Sequence, residues 1–241
     1  MLTIPSHYNG PVDSGHGGFA AGRFAEFVDA RRASVRLHAP IPLDRPLRPV
    51  QGQEQFSIDV VADAQTIATV APLPAALDVG SFDMTPVELI DAAEQDWSND
   101  LALDHPCPTC YGCGHDRSAG TGMELRPGRV EGTDCHATRW SPKIAGDVPS
   151  SMIWAALDCP SGAPALASVE RDQMVLTGKL SVEIRRPVPG DESYQIAGRV
   201  AERDGRKFYT EAALLNRSGE ALAVATATWI AVSRPAVKVA A

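Results

Sequence analysis

No stretch of this chain approaches the roughly 20 apolar residues that a membrane helix needs, so a spanning segment is not expected. The first residues lack the charged and then apolar segments of a secretory leader, and a cytoplasmic location is the expectation. Positive charge is in deficit: 22 Lys and Arg stand against 30 Asp and Glu, for a net charge of −8. Phosphate contacts need a basic face, so nucleic acid is not an expected partner. Cysteine is sparse and odd in number, five residues mostly clustered, which does not suit a secreted disulfide framework. Also missing are a Gly-rich phosphate loop, a serine-centred nucleophile elbow and a helical pair of histidines at metal spacing.

What remains is an ordinary globular composition, 44% apolar and 22% charged, in 241 residues that can bury a proper core as one large domain or two small ones. Residues 9–18 read Asn-Gly-Pro-Val-Asp-Ser-Gly-His-Gly-Gly and run into an apolar segment with Phe19, Ala20, Phe24, Phe27 and Val28 at helical spacing. The spacing predicts a helix over 15–32, with His16, Gly17 and Gly18 at its start. The first N–H groups of a helix have no intrahelical partner and carry the positive end of the macrodipole. A His-Gly-Gly step there can hold an oxyanion or a polarised carbonyl, or it can simply make the turn.

Strands are expected at 34–38, 40–43, 56–61 and 66–70. Residues 72–106 are punctuated by proline and glycine around a short helix at 86–96 and read as a connector. Short strands at 122–126 and 135–140 precede a second apolar helix that begins near Asp147 and is expected to stop at Pro160. Long alternating strands follow at 174–186, 193–202, 207–216 and 221–232, joined by Gly-bearing turns.

The two halves resemble each other. Ser34-Val35-x-Leu37-x-x-Pro40-Ile41-Pro42-x-Asp44 matches Ser181-Val182-x-Ile184-x-x-Pro187-Val188-Pro189-x-Asp191 at a constant offset. Each matched strand follows an apolar helix and precedes further alternating strands. The plan is one helix wrapped by an antiparallel sheet, occurring twice.

On these residues the chain resembles the hotdog-fold acyl-CoA thioesterases, in particular the phenylacetate-pathway type. The loop with His16-Gly17-Gly18 at a helix start is similar to the motif of that family. Cys110-Tyr-Gly-Cys113-Gly-His-Asp and the strand end Arg186-Pro187-Val188-Pro189-Gly190 are similar to further family segments. The resemblance implies an α+β double hotdog, two antiparallel β-sheets each wrapping a central α-helix. Its expected parts are an N-terminal hotdog at 1–80, a connector at 81–105 and a C-terminal hotdog at 106–241. It also implies hydrolysis of acyl-CoA or acyl-carrier thioesters without a cofactor, and a possible homodimer of double hotdogs.

In such enzymes a helix-start glycine N–H polarises the carbonyl and a carboxylate on the partner's central helix activates water. Here Glu26 lies ten residues after His16, and Asp158 lies ten after Val148. The second helix begins with Val148-Pro149-Ser150 instead of His-Gly-Gly, so one site is expected, built from Gly17, Gly18 and Asp158. Glu26 and Asn9 are further catalytic candidates, and both acids can equally be ordinary surface carboxylates. His16, Arg185 and Arg186 are candidates for binding substrate, the arginines through coenzyme A phosphates or merely as solvated charges. Cys107, Cys110, Cys113 and His115 offer four possible zinc ligands, at a tighter spacing than zinc sites usually show; buried thiols or a redox pair at Cys110 and Cys113 are the alternatives. Two other functions suit the fold: a non-catalytic hotdog that binds acyl-CoA or a protein partner, and a 2-enoyl thioester hydratase or dehydratase, for which no motif is present.

Overall fold

The computed structural model describes residues 1–54, 56–101 and 104–234, so residues 102–103 of the expected connector and 235–241 of the expected second hotdog lie outside the described residues. Among the described residues the chain forms one ten-stranded antiparallel sheet with three α-helices: α1 (Gly17–Ala25), α2 (Val87–Asp96) and α3 (Ser150–Leu166). The strands are β1 (Arg32–Leu37), β2 (Arg48–Gln51), β3 (Ile58–Ala62), β4 (Gln65–Pro72), β5 (Gly128–Arg129), β6 (His136–Trp140), β7 (Gln173–Ile184), β8 (Tyr194–Asp204), β9 (Lys207–Leu215) and β10 (Ala221–Ser233). Across the sheet they run β2-β3-β4-β1-β7-β10-β9-β8-β6-β5. No helix among the described residues is long and apolar enough to cross a membrane.

The two expected sheets are therefore joined edge to edge. β1 from the first half pairs antiparallel with β7 from the second, and Ser34 lies directly opposite Ser181. On either side, Ala33 pairs with Val182 and Val35 with Leu180. These two pairs exchange when the halves are swapped by the repeat, so the ladder is symmetric about the serine pair. Joining the halves here removes two sheet edges that would otherwise present unpaired backbone groups.

α3 is apolar on nearly every side, and 14 of its residues are buried, from Ser151 to Ala165. A helix with that pattern sits inside the protein. It packs against β6 to β10 and against α1. The two helices approach closely because α1 offers glycine at the contact. A Cβ at Gly22 would stand 2.6 Å from Ser151 Cα and 2.8 Å from Trp154 Cβ. Trp154 is fully buried there, and its indole N–H donates to Ala30 O at 2.9 Å. Truncating such a side chain to alanine costs about 3–5 kcal/mol.

Several expectations are corrected. α1 ends at Ala25 rather than near residue 32; Phe27 and Val28 N–H bond three residues back, and Asp29 turns the chain into β1. Residues 40–43 form no strand and make only an isolated bridge, Ile4 to Leu43. Residues 122–126 are not a strand, and β2 was not foreseen. The second helix does not stop at Pro160 but continues through it and Pro164. Burial on all sides outweighs the cost of an interior proline, and the Ser161 hydroxyl donates to Asp158 O at 2.7 Å inside the same turn.

Candidate active site

The start of α1 meets the middle of α3. His16 is the N-cap of α1, and its Nδ1 accepts the Phe19 N–H at 3.1 Å, satisfying one of the free donors of the first turn. Gly18 N–H donates to Asp158 Oδ2 at 2.8 Å. Gly17 N–H makes no hydrogen bond among the described residues and lines a cavity. Glycine is required at both positions by the closeness of Asp158. A Cβ at Gly18 would lie 2.5 Å from Asp158 Cβ, and one at Gly17 would lie 2.8 Å from Thr177 Oγ1 and 3.2 Å from Asp158 Oδ2.

Asp158 is 2% exposed. Its other oxygen, Oδ1, accepts the Thr177 hydroxyl of β7 at 3.0 Å. Burial pushes the carboxyl above its ordinary value, and His16, the Gly18 N–H and the Thr177 hydroxyl restrain that rise by favouring the charged form. The result is a fixed carboxylate of raised basicity, the property a general base needs.

His16 Nε2 faces three acceptors, Cys159 Sγ at 3.3 Å, Asp158 Oδ2 at 3.7 Å and, within 4.8 Å, Cys110 Sγ. Burial pushes the imidazole down, and the charges on Cys110 and Asp158 draw it up past its ordinary value. A second proton, however, would have to sit on Nδ1 and would break the cap bond to Phe19. We therefore place one proton on the ring, at Nε2. The same tautomer bears on metal binding. His16, Cys110 and Cys159 bring three ligand atoms within 4.8 Å of one another, but the Nε2 lone pair a metal would need carries the proton while Nδ1 serves the cap.

The segment from Cys107 to Leu125 covers this junction. Gly112 packs onto it so closely that a Cβ would stand 2.5 Å from Cys159 Sγ and 2.7 Å from His16 Nε2. Tyr111 N–H bonds Asn9 O at 2.7 Å, and Arg117 donates to Asn9 Oδ1 (2.8 Å), Thr109 O (2.7 Å) and His7 O (2.7 Å). Arg117 thus fastens the cysteine segment to the first residues of the chain.

The cavity has a volume of about 740 Å³. Its lining includes Gly17, His16 and Asp158 and, among its apolar residues, Leu166, Trp229 and Val232. Cys107, Cys110, Cys113 and Cys159 face it as well.

The structure brings together His16, Gly17, Gly18 and Asp158, and adds Thr177, Cys159 and Gly112, which sequence reasoning missed. No local pattern marks those three, since Thr177 is a single residue of a strand and Gly112 lies 96 positions beyond His16. Other candidates lie elsewhere. Glu26 caps α1 at the surface, paired with Arg23 at 3.0 Å, because the helix ends before a further turn could bury it. Asn9 is held by Arg117 and does not line the cavity. Arg185 donates to Leu77 O, and Arg186 pairs with Glu220 on the surface; neither reaches the cavity. His115 pairs with Asp116 at 3.2 Å, apart from Cys110, so the four expected zinc ligands do not converge as a set.

No family model matches the sequence, and no curated protein matches it. Solved structures do. The tesB protein of Mycobacterium avium subs paratuberculosis superimposes with a TM-score of 0.59 at 14% identity, covering 96% of this chain and 91% of that one. A protein described as a thioesterase from Novosphingobium aromaticivorans gives 0.60 at 12% identity, over 95% of this chain and 93% of that one. Acyl-CoA thioesterase II TesB2 of Mycobacterium marinum gives 0.56 at 13% identity, over 93% and 91%. At such identity the likeness is one of fold alone, and the chain shares the hotdog fold of these proteins.

Proposed function

We propose that the protein hydrolyses acyl thioesters, of coenzyme A or of an acyl carrier, in a single site between α1 and α3. The observation that carries this reading is Asp158, buried in the lining of a cavity and held between Gly18 N–H and the Thr177 hydroxyl. Each carboxylate oxygen has one protein donor and retains a lone pair for water. In the reaction Asp158 takes a proton from that water as it attacks the thioester carbon. Gly17 N–H, at the positive end of α1, donates to the developing oxyanion. The apolar lining of the cavity takes the acyl chain.

The arrangement of the halves as a double hotdog, 1–80 and 106–241 around a connector, is part of the same proposal. The symmetric β1–β7 ladder and the close α1–α3 contact support it. The fold shared with proteins named as acyl-CoA thioesterases supports the choice of substrate class.

The test is a panel of acyl-CoAs from short to long, with release of free thiol as the readout. Turnover of at least one member is expected, and its loss in Asp158→Asn with an unchanged melting curve. Hydrolysis of none would reject the reading; saturable binding without turnover would favour a non-catalytic acyl-CoA binder.

A further inference from the structure

Three of the five cysteines lie against one another beside Asp158, and the mechanism above uses none of them. Their hydrogen bonds have a direction. At one end, the Nδ1 of His16 accepts from Phe19 N–H, so its Nε2–H donates toward Cys159 Sγ at 3.3 Å. At the other end, the Nδ1 of His105 accepts from Cys107 N–H at 3.0 Å, so its Nε2–H donates to Cys113 Sγ at 3.4 Å. Both flanking sulfurs are thereby acceptors of an imidazole N–H. The S–H proton of Cys159 is left to point at Cys110 Sγ, 3.9 Å away. The Cys159 thiol, with the His16 N–H behind it, thus bears on one atom, Cys110 Sγ.

Such an arrangement favours negative charge at Cys110, because hydrogen bonds to the charged form stabilise it. The thiols of Cys113 and Cys159 hold Cys110 well below the ordinary thiol range, and the same bonds push Cys113 and Cys159 up. Cys107 is pushed up to about 12 by burial and stays a neutral thiol. A thiolate is the nucleophilic form of cysteine. This one faces the cavity together with Gly17 and Asp158.

We propose that Cys110 is the nucleophile of the reaction and carries the acyl group as a covalent thioester before water releases it. The inference rests on the thioester-hydrolase reading and deepens it. In the first step Cys110 Sγ adds to the substrate carbonyl carbon, the substrate's C–S bond breaks, and the departing thiolate takes its electron pair. That thiolate takes its proton from solvent. Thioester exchange replaces one C–S bond by another, so the step is close to balanced in energy. Acylation also cancels the charge on Cys110, one of the influences that raise the Asp158 carboxyl. The carboxylate then takes a proton from water, which attacks the acyl carbon. The Cys110–acyl bond breaks, the acid leaves, the thiolate is restored, and Asp158 passes its proton to solvent.

The experiment mixes wild-type protein and Asp158→Asn with acyl-CoAs from acetyl to palmitoyl, quenches in acid within one turnover, and maps the adduct by mass. Asp158→Asn is expected to accumulate one acyl group per chain on the peptide carrying Cys110, removable by neutral hydroxylamine. Cys110→Ala and Cys110→Ser are expected to lose the adduct and about 100-fold or more of turnover. If these buried-site variants fail to fold, the mapping in Asp158→Asn, which keeps all the cysteines, still decides. No adduct in either protein, an adduct on Cys113 or Cys159 instead, or full turnover in Cys110→Ala overturns the proposal. Hydrolysis without an adduct removes only the nucleophile and leaves the hydrolase. An adduct without hydrolysis keeps the nucleophile and removes the hydrolase.

Discussion

Ser181 donates to Ser34 across the β1–β7 ladder, Oγ to Oγ at 3.0 Å, and the two residues are each other's counterparts in the internal repeat. A residue that pairs with its own counterpart lies on the axis relating the halves. The pair is shielded, Ser181 being 3% exposed. A double-mutant cycle with Ser34→Ala and Ser181→Ala is expected to show coupling of about 0.5–1.5 kcal/mol in urea unfolding. Additive losses would mean that the ladder's backbone bonds alone hold the halves together.

Gly18→Ala puts a methyl group 2.5 Å from Asp158 Cβ, 2.7 Å from Trp154 O and 3.0 Å from Ala155 Cα. Two of these contacts are backbone, so the helices must separate. Overpacking of this kind costs about 1–3 kcal/mol. It also stretches the bond from Gly18 N–H to Asp158. A melting temperature lower by several degrees and turnover down at least about tenfold are expected, because that bond positions the carboxylate. Unchanged turnover would show that α1 is not needed to position Asp158.

Asp158 must be ionised when it takes a proton from water, and burial holds its carboxyl above the ordinary range. The value of kcat should therefore fall as pH drops through that raised value, well before an exposed carboxylate would titrate. Thr177→Val removes a donor that favours the charged form, so the acid limb of the kcat profile should move to higher pH. The lowered plateau that a purely structural loss would give, with the limb in place, would contradict this role for Thr177.

His136, in β6, is buried with no partner for Nδ1, and burial together with Arg129 lowers its pKa to about 4. The folded protein keeps it neutral, whereas the unfolded chain binds a proton near pH 6.5. Stability is fully present above that value and is lost as pH falls toward 4, by about 3 kcal/mol in total. His136→Asn carries no titrating group and should flatten this part of the stability curve, read as urea midpoints between pH 7 and 4.

The sequence shows what is local or repeated. Ser34 and Ser181 are legible because identical residues recur at a fixed offset, and α1 because its apolar residues keep one period. Asp158 stands out through its spacing from the helix start. Pro160 misleads, since a local rule for proline yields to a helix buried on all sides. Glu26 misleads for the opposite reason: its spacing matches, but α1 ends at Ala25 and leaves it in solvent. The contact between Cys159 and His16, 143 residues apart, has no local trace at all. Nor does the direction of the thiol hydrogen bonds, which depends on what each imidazole does with its other nitrogen.

The two halves no longer begin their helices alike. α1 opens with a His cap and two glycines, whereas the N-cap of α3 is Pro149, which has no N–H and makes no side-chain cap bond, behind a buried Val148. The acid that would serve a second centre, Glu26, stands outside the protein. In terms of stoichiometry, an assembly of two matched subunits offers two equivalent reaction centres. On the proposed reading this chain, joined through β1 and β7, offers one per 241 residues. A burst titration should read one equivalent per chain, and the unused half is free to serve as scaffold.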